Sequence, residues 1–113
     1  MESINQMGYY QLENLVLQRV NFTLMDLTKE IDIVEKFKHL TPYYLNFLKT
    51  QIQKVTTENY RVNPIFTGLA KESPIVLICD NGIESKKIAS QLESEKYINV
   101  FYLTGGAANL KAD

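Results

Sequence analysis

The 113-residue chain has one cysteine, one histidine, three prolines and no tryptophan, and these scarcities narrow its chemistry. A lone cysteine cannot close an internal disulfide, which fits a reducing cytoplasm. One histidine and one cysteine argue against a zinc site built from protein ligands alone, so no metal is expected. Twelve basic residues stand against thirteen acidic ones, for a net charge of -1, so the basic footprint of a nucleic-acid binder is missing. No run approaches the ~20 apolar residues that cross a bilayer, and no membrane partner is expected. The N-terminus, Met1-Glu2-Ser3-Ile4-Asn5-Gln6, has neither a basic n-region nor an apolar h-region, which argues against export. There is no internal repeat, low-complexity tract or Pro/Gly/Ser linker. Residues 1–113 read as a single domain with one core.

What is present is ordinary globular composition, 45% hydrophobic and 22% charged, arranged as alternating strand and helix patterns. Leu12, Leu15 and Val16 fall at helical spacing and predict a helix over 9–18. Phe22-Thr23-Leu24-Met25-Asp26-Leu27 reads as a strand ending in a carboxylate. Ile33, Phe37 and Leu40 mark a second helix ended by Thr41-Pro42, and Leu45, Leu48, Ile52 and Val55 a third. Residues 56–73, with Asn63-Pro64 and Gly68, read as loop with one helical turn. Pro74-Ile75-Val76-Leu77-Ile78-Cys79 is a continuous apolar run, the pattern of a buried parallel strand. Ile88, Ala89 and Leu92 give a helix over 84–96 its buried face. Asn99-Val100-Phe101-Tyr102-Leu103 is a last strand, broken by Gly105-Gly106. Strands separated by helices imply crossovers and an α/β fold, a central parallel sheet with helices on both faces. Sites in such sheets form at the carboxyl ends of strands, where Cys79, Asp26 and Thr104 all fall.

Cys79 is the residue with chemistry to offer. The loop Asp80-Asn81-Gly82-Ile83-Glu84 follows it, and Ser85 opens a helical pattern, so the sulfur stands over backbone N–H groups at a helix N-terminus. Such groups favour thiolate over thiol. Three cysteine chemistries fail on their own requirements. A Cys-x-x-Cys redox site needs a second cysteine at position 82, which is Gly. A phosphate cradle needs an Arg six residues on, where Ser85 stands. A papain-like site needs a histidine beside the thiol, and the only one, His39, lies in a segment with no evident route to Cys79.

The stretch Ser73–Ser85, continued by Ala89, Leu92, Tyr97, Asn99-Val100, Leu103 and Gly105-Gly106, resembles the rhodanese family of sulfurtransferase domains in its single-domain form. The shared pattern is a proline and buried strand, Cys-x-x-Gly-x-x-Ser, a helix carrying Ala and Leu, then a short strand into Gly-Gly. The strand ending at Asp26 is similar to an early strand of that family. The likeness covers roughly 73–106 and 9–27. Over 28–72 the family's Gly-His-Ile-Pro-Gly-Ala segment is absent, with His39-Leu40-Thr41-Pro42 a faint echo and Val62-Asn63-Pro64 a mark for the strand that follows. Leu110 stands near the family's Trp, and a final helix is expected to be cut short.

The resemblance implies that Cys79 takes a sulfur atom from a small donor or a persulfide-bearing protein, holds it as a persulfide and passes it to a thiophilic acceptor. No cofactor is implied. The site loop is Asp80, Asn81, Gly82, Ile83, Glu84 and Ser85, with Asp26, Lys86 and Lys87 in support. Gly82 suits a tight turn with inward N–H groups, and Ser85 caps the helix or bonds the sulfur. Glu84 departs from the basic or small residue common there. A carboxylate ~6 Å from the sulfur costs roughly 0.7 kcal/mol in water-like dielectric and about 3 kcal/mol at an effective constant of 20. Asp80 adds to that field, and Lys86 and Lys87 oppose it. Weak thiosulfate turnover is therefore expected, with a persulfide as the better donor.

Plainer readings stand beside these. Cys79 can be a small buried hydrophobe, Asp26 a structural carboxylate on loop amides, and His39 a charge partner at a helix C-terminus. The seven Tyr and five Phe read as core and rim, and the 43–55 stripe as an internal packing face rather than a partner site. The second functional reading is a catalytically silent module that binds a partner or senses oxidants. Nothing in the sequence fixes an oligomeric state.

Overall fold

The structure is a computed structural model and describes residues 5–110. Most of the segment read for an export signal, and the end of the segment where a final helix is expected to stop short, lie outside those residues. Five strands form one sheet: β1 (Asn5–Met7), β2 (Thr23–Asp26), β3 (Ile52–Lys54), β4 (Ile75–Ile78) and β5 (Val100–Leu103), in the spatial order β1-β5-β4-β2-β3. Every pairing is parallel, with Asp26 opposite Ile78 on one side and Lys54 on the other. The helices are α1 (Tyr9–Leu17), α2 (Pro42–Gln51), the single turn α3 (Pro64–Thr67) and α4 (Ile83–Ser94).

Alternation along the central strands divides the core in two. Leu24, Val76 and Ile78 point to the face covered by α1, α2 and Phe37. Met25, Ile75, Leu77 and Cys79 point to the other, covered by α4 and by Val55, Tyr60 and Phe66. Both faces of β2 and β4 are buried, which is why β4 is apolar throughout rather than alternating, while β2 holds Leu24 and Met25 between a buried Thr23 and a buried Asp26. Burying each Leu or Ile there contributes roughly 1.5–3 kcal/mol. The expected α/β sheet with helices on both faces is the observed one.

Four expectations for 28–72 need correction. The helix over 33–40 is only a 3-10 turn, Val34–Phe37, started by Asp32, whose Oδ1 accepts from the Val34 and Glu35 amides at 3.0 and 3.3 Å. Phe37 packs flat on Tyr9, their rings 4.8 Å apart. Thr41-Pro42 does not end a helix. Thr41 is extended and Pro42 is the first residue of α2, where a missing N–H costs nothing. The third helix stops at Gln51, and the stripe of four apolar residues is shared between two elements. Leu45 and Leu48 belong to α2, whereas Ile52 opens β3 and lies opposite Leu24, with Val55 just beyond. Pairing with β2 satisfies the backbone of 52–54, and two β-branched residues suit a strand better than a helix. The strand marked at Val62-Asn63-Pro64 is a helix start instead, since the Asn63 side chain accepts from the Ile65 and Phe66 amides at 2.9 and 3.1 Å.

Candidate functional site

Cys79 is the first residue past β4 and lies beside α4, only 2% exposed. Gly82, at φ +88°, is the N-cap of α4. The turn it allows aims two N–H groups at the sulfur. Gly82 N donates to Cys79 Sγ at 3.0 Å and Ser85 N at 3.3 Å, with Ser85 Oγ also 3.3 Å away. Asn81 Oδ1 lies 3.8 Å from the same sulfur and accepts from Ile83 N at 3.0 Å. The Ser85 amide is one of the first-turn donors that a helix leaves without an intrahelical partner, so the helix start and the sulfur satisfy each other. Two amide donors and a hydroxyl stabilise a negatively charged sulfur.

The loop is braced from beneath. Ala107 N donates to Cys79 O at 2.7 Å and Ala108 N to Asp80 O at 3.2 Å. Gly105 and Gly106, both at positive φ, carry the chain under it. On the other side Asp80 Oδ1 accepts from the backbone N of Lys29 at 3.3 Å, which ties the cysteine loop to the segment after β2.

A cleft of about 740 Å³ opens over the sulfur, walled by Asp80, Asn81 and Glu84, by Leu27, Thr28 and Lys29, and by Lys54 at the end of β3 with residues 55–59 after it. It stands at the carboxyl ends of β4, β2 and β3, as expected for a parallel sheet. Glu84 is exposed along its wall, whereas the side chains of Lys86 and Lys87 are exposed elsewhere on α4 and do not line it. The cations of the cleft are Lys29 and Lys54, neither of them expected from the sequence. Lys54 was hidden because 43–55 reads as one helix. Read as the end of a strand, it falls at the same edge as Cys79.

Asp26 is buried, but alternation puts its side chain on the opposite face of the sheet from Cys79. Its Oδ1 accepts from Thr28 N at 2.9 Å and Thr28 Oγ1 at 2.5 Å, and lies 3.4 Å from Lys54 Nζ. Lys54 Nζ also donates to the Thr28 carbonyl and lies 3.1 Å from its hydroxyl. Asp26 thus acts as the loop-bracing carboxylate of the plainer reading and reaches the cleft only through Thr28 and Lys54. Thr104 joins β1 instead, its amide donating to Met7 O and its hydroxyl to Gln6 Oε1. His39 is no helix-end partner. Its Nε2 is 2.5 Å from Glu13 Oε2 and 3.3 Å from Tyr9 Oη, on the α1 face. Among the described residues no group of three or more His, Cys, Asp or Glu side chains is placed to hold a metal ion, and no helix is long and apolar enough to cross a membrane.

No protein-family model and no curated protein sequence matches the chain. Solved structures do. A rhodanese-like domain protein from Staphylococcus aureus superposes with a TM-score of 0.65 over 97% of this chain and 94% of its own, at 15% identity. A human single-domain sulfurtransferase gives 0.60 over 95% of both chains at 16% identity. An NAD-dependent persulfide reductase from A. fulgidus gives 0.60 at 14% identity, over 94% of this chain and 16% of its own. The chain has the rhodanese-like fold.

Proposed function

We propose that this chain is a single rhodanese-like domain that carries sulfane sulfur as a persulfide on Cys79. The observation that carries the reading is the convergence of the Gly82 and Ser85 amides on Cys79 Sγ, at 3.0 and 3.3 Å, beneath an open cleft. After the thiol proton leaves to water, the thiolate attacks the outer sulfur of a donor R–S–SH. A new S–S bond forms, the donor S–S bond breaks, and its electron pair departs on R–S⁻. A thiol or other thiophile then attacks the outer sulfur of the Cys79 persulfide and returns the thiolate, so no net oxidant or reductant is consumed. The two amides offset negative charge on the Cys79 sulfur at both stages, as an oxyanion hole does for oxygen. The family likeness and a lone thiol fit this role in a reducing cytoplasm, with the sulfur coming from a small donor or a protein persulfide.

Donor incubation followed by intact mass measurement tests the reading. The expected result is a gain of one sulfur, released by reductant and absent in Cys79→Ser. Glu84, exposed on the wall of the cleft, favours the second reading of a silent partner-binding or oxidant-sensing module. That reading replaces the first if neither thiosulfate nor any persulfide adds sulfur to the wild-type chain.

A further inference from the structure

The charges around the cleft are placed in a way that selects among donors. Lys54 already spends its ammonium on Thr28 and Asp26, and an ammonium has three donors. Lys29 differs. Its backbone is held against the cysteine loop by Asp80, while its exposed ammonium makes no ion pair among the described residues. Glu84, in the first turn of α4, is likewise exposed on the cleft wall and makes no ion pair there. The two opposite charges line one cleft, on different elements, and do not pair with each other. The carboxylates along the cleft are Glu58, Asp80 and Glu84, against two cations, Lys29 and Lys54. A dianion therefore meets an excess of negative charge. The cleft volume of about 740 Å³ also lies in the ~300–1,000 Å³ range that encloses an organic ligand, well beyond what a small inorganic anion fills.

We propose that Lys29 and Glu84 make the cleft selective for a zwitterionic aminothiol persulfide, an amino-acid or short-peptide thiol carrying one sulfane sulfur. Its carboxylate lies toward Lys29, its ammonium toward Glu84, and its outer sulfur toward Cys79. This rests on the persulfide reading of Cys79 and names the donor for the same site. The reaction is the one written above, with R–S⁻ leaving as the free aminothiolate.

The test compares four donors on the full chain by the rate at which Cys79 gains one sulfur in intact mass spectra: cysteine persulfide, its decarboxylated analogue cysteamine persulfide, its deaminated analogue mercaptopropionate persulfide, and thiosulfate. One well-placed charge contact corresponds to about a five- to tenfold rate difference, so cysteine persulfide should lead both truncated analogues by that factor, with thiosulfate slowest. Lys29→Gln should erase the lead over cysteamine persulfide, and Lys29→Arg should restore it. Glu84→Gln should erase the lead over mercaptopropionate persulfide and speed thiosulfate. Equal loading by all four donors in the wild type, or an order that survives both substitutions, overturns the proposal while leaving persulfide formation intact. Loading by none of the four overturns both.

Discussion

A methyl group on Gly106 would stand 2.5 Å from the backbone nitrogen of Gly82, the same nitrogen that donates to Cys79 Sγ. The Gly-Gly segment after β5 is therefore the surface on which the cysteine loop rests. Gly106→Ala meets Asp80 O and Asn81 C at 2.6 and 2.7 Å as well, all backbone atoms without freedom to move aside, and it places a side chain at φ +76°. The expected cost is about 2–3 kcal/mol of stability, read as a lowered urea midpoint. Sulfur loading of Cys79 should fall with it, because the Gly82 N–H is pushed off the sulfur.

Ser85→Ala isolates the hydroxyl from the amide. It removes Oγ at 3.3 Å from the sulfur and leaves the Ser85 N–H contact in place. Stability should change by less than about 1 kcal/mol. The rate of Cys79 alkylation at neutral pH should drop about three- to tenfold, since one of three donors to the thiolate is lost. An unchanged alkylation rate would mean that the amides alone set the reactivity.

Glu84→Arg reverses the charge that faces an incoming anion. Turnover of thiosulfate should rise about tenfold or more, consistent with a change of two unit charges near the sulfur at an effective constant of about 20. The substitution also removes an acidic residue from the first turn of α4, which costs about 0.3–1 kcal/mol. Unchanged thiosulfate turnover would discard the electrostatic account of this cleft.

Asp26→Ala removes the acceptor for both Thr28 groups and the partner of Lys54. The loss should be about 1–3 kcal/mol, since the buried Thr28 amide is left without its acceptor while the hydroxyl keeps the Ile31 carbonyl at 2.9 Å. Asp26→Asn retains an oxygen at the same place and should cost about half as much. Denaturant titration of the two variants separates the hydrogen bonds from the charge.

Tyr9 supplies a pH-dependent prediction. Burial, followed by the nearby Glu13 carboxylate, raises its hydroxyl from the usual 10 to about 12. The folded state thus holds this proton more tightly than the unfolded chain. The associated stability is complete below pH ~10 and is lost as pH rises through about 12. Absorbance titration should show a late tyrosinate step that disappears in Tyr9→Phe.

The candidate site was legible where the chain is locally consistent. The apolar run into Cys79, a Gly three residues on, Ser85 and the Gly-Gly break each carry their own physical reason, and together they point to a sulfur held by helix-start amides. The 28–72 segment was less legible because its signals are shared between elements. Pro42 marks a helix start rather than an end, and Leu45, Leu48, Ile52 and Val55 mimic one helical stripe while lying on both sides of a helix-to-strand change. That change is made by backbone pairing with β2, a contact between residues nearly thirty positions apart that no local periodicity reports.

By itself the sequence determined the α/β alternation, the strand that delivers Cys79 and the composition of its loop, because these depend on burial patterns and turn chemistry within a few residues. Only the tertiary structure decided which charges meet the sulfur. Strand order places β2 beside β4 and β3 beyond it, so Lys29 and Lys54 enter the cleft while Lys86 and Lys87, nearer in sequence, do not line it. Alternation across the sheet likewise turns Asp26 to the opposite face. Proximity along the chain sets local conformation, but the field at the Cys79 sulfur is set by distance in space, and that distance is fixed by how the strands pair.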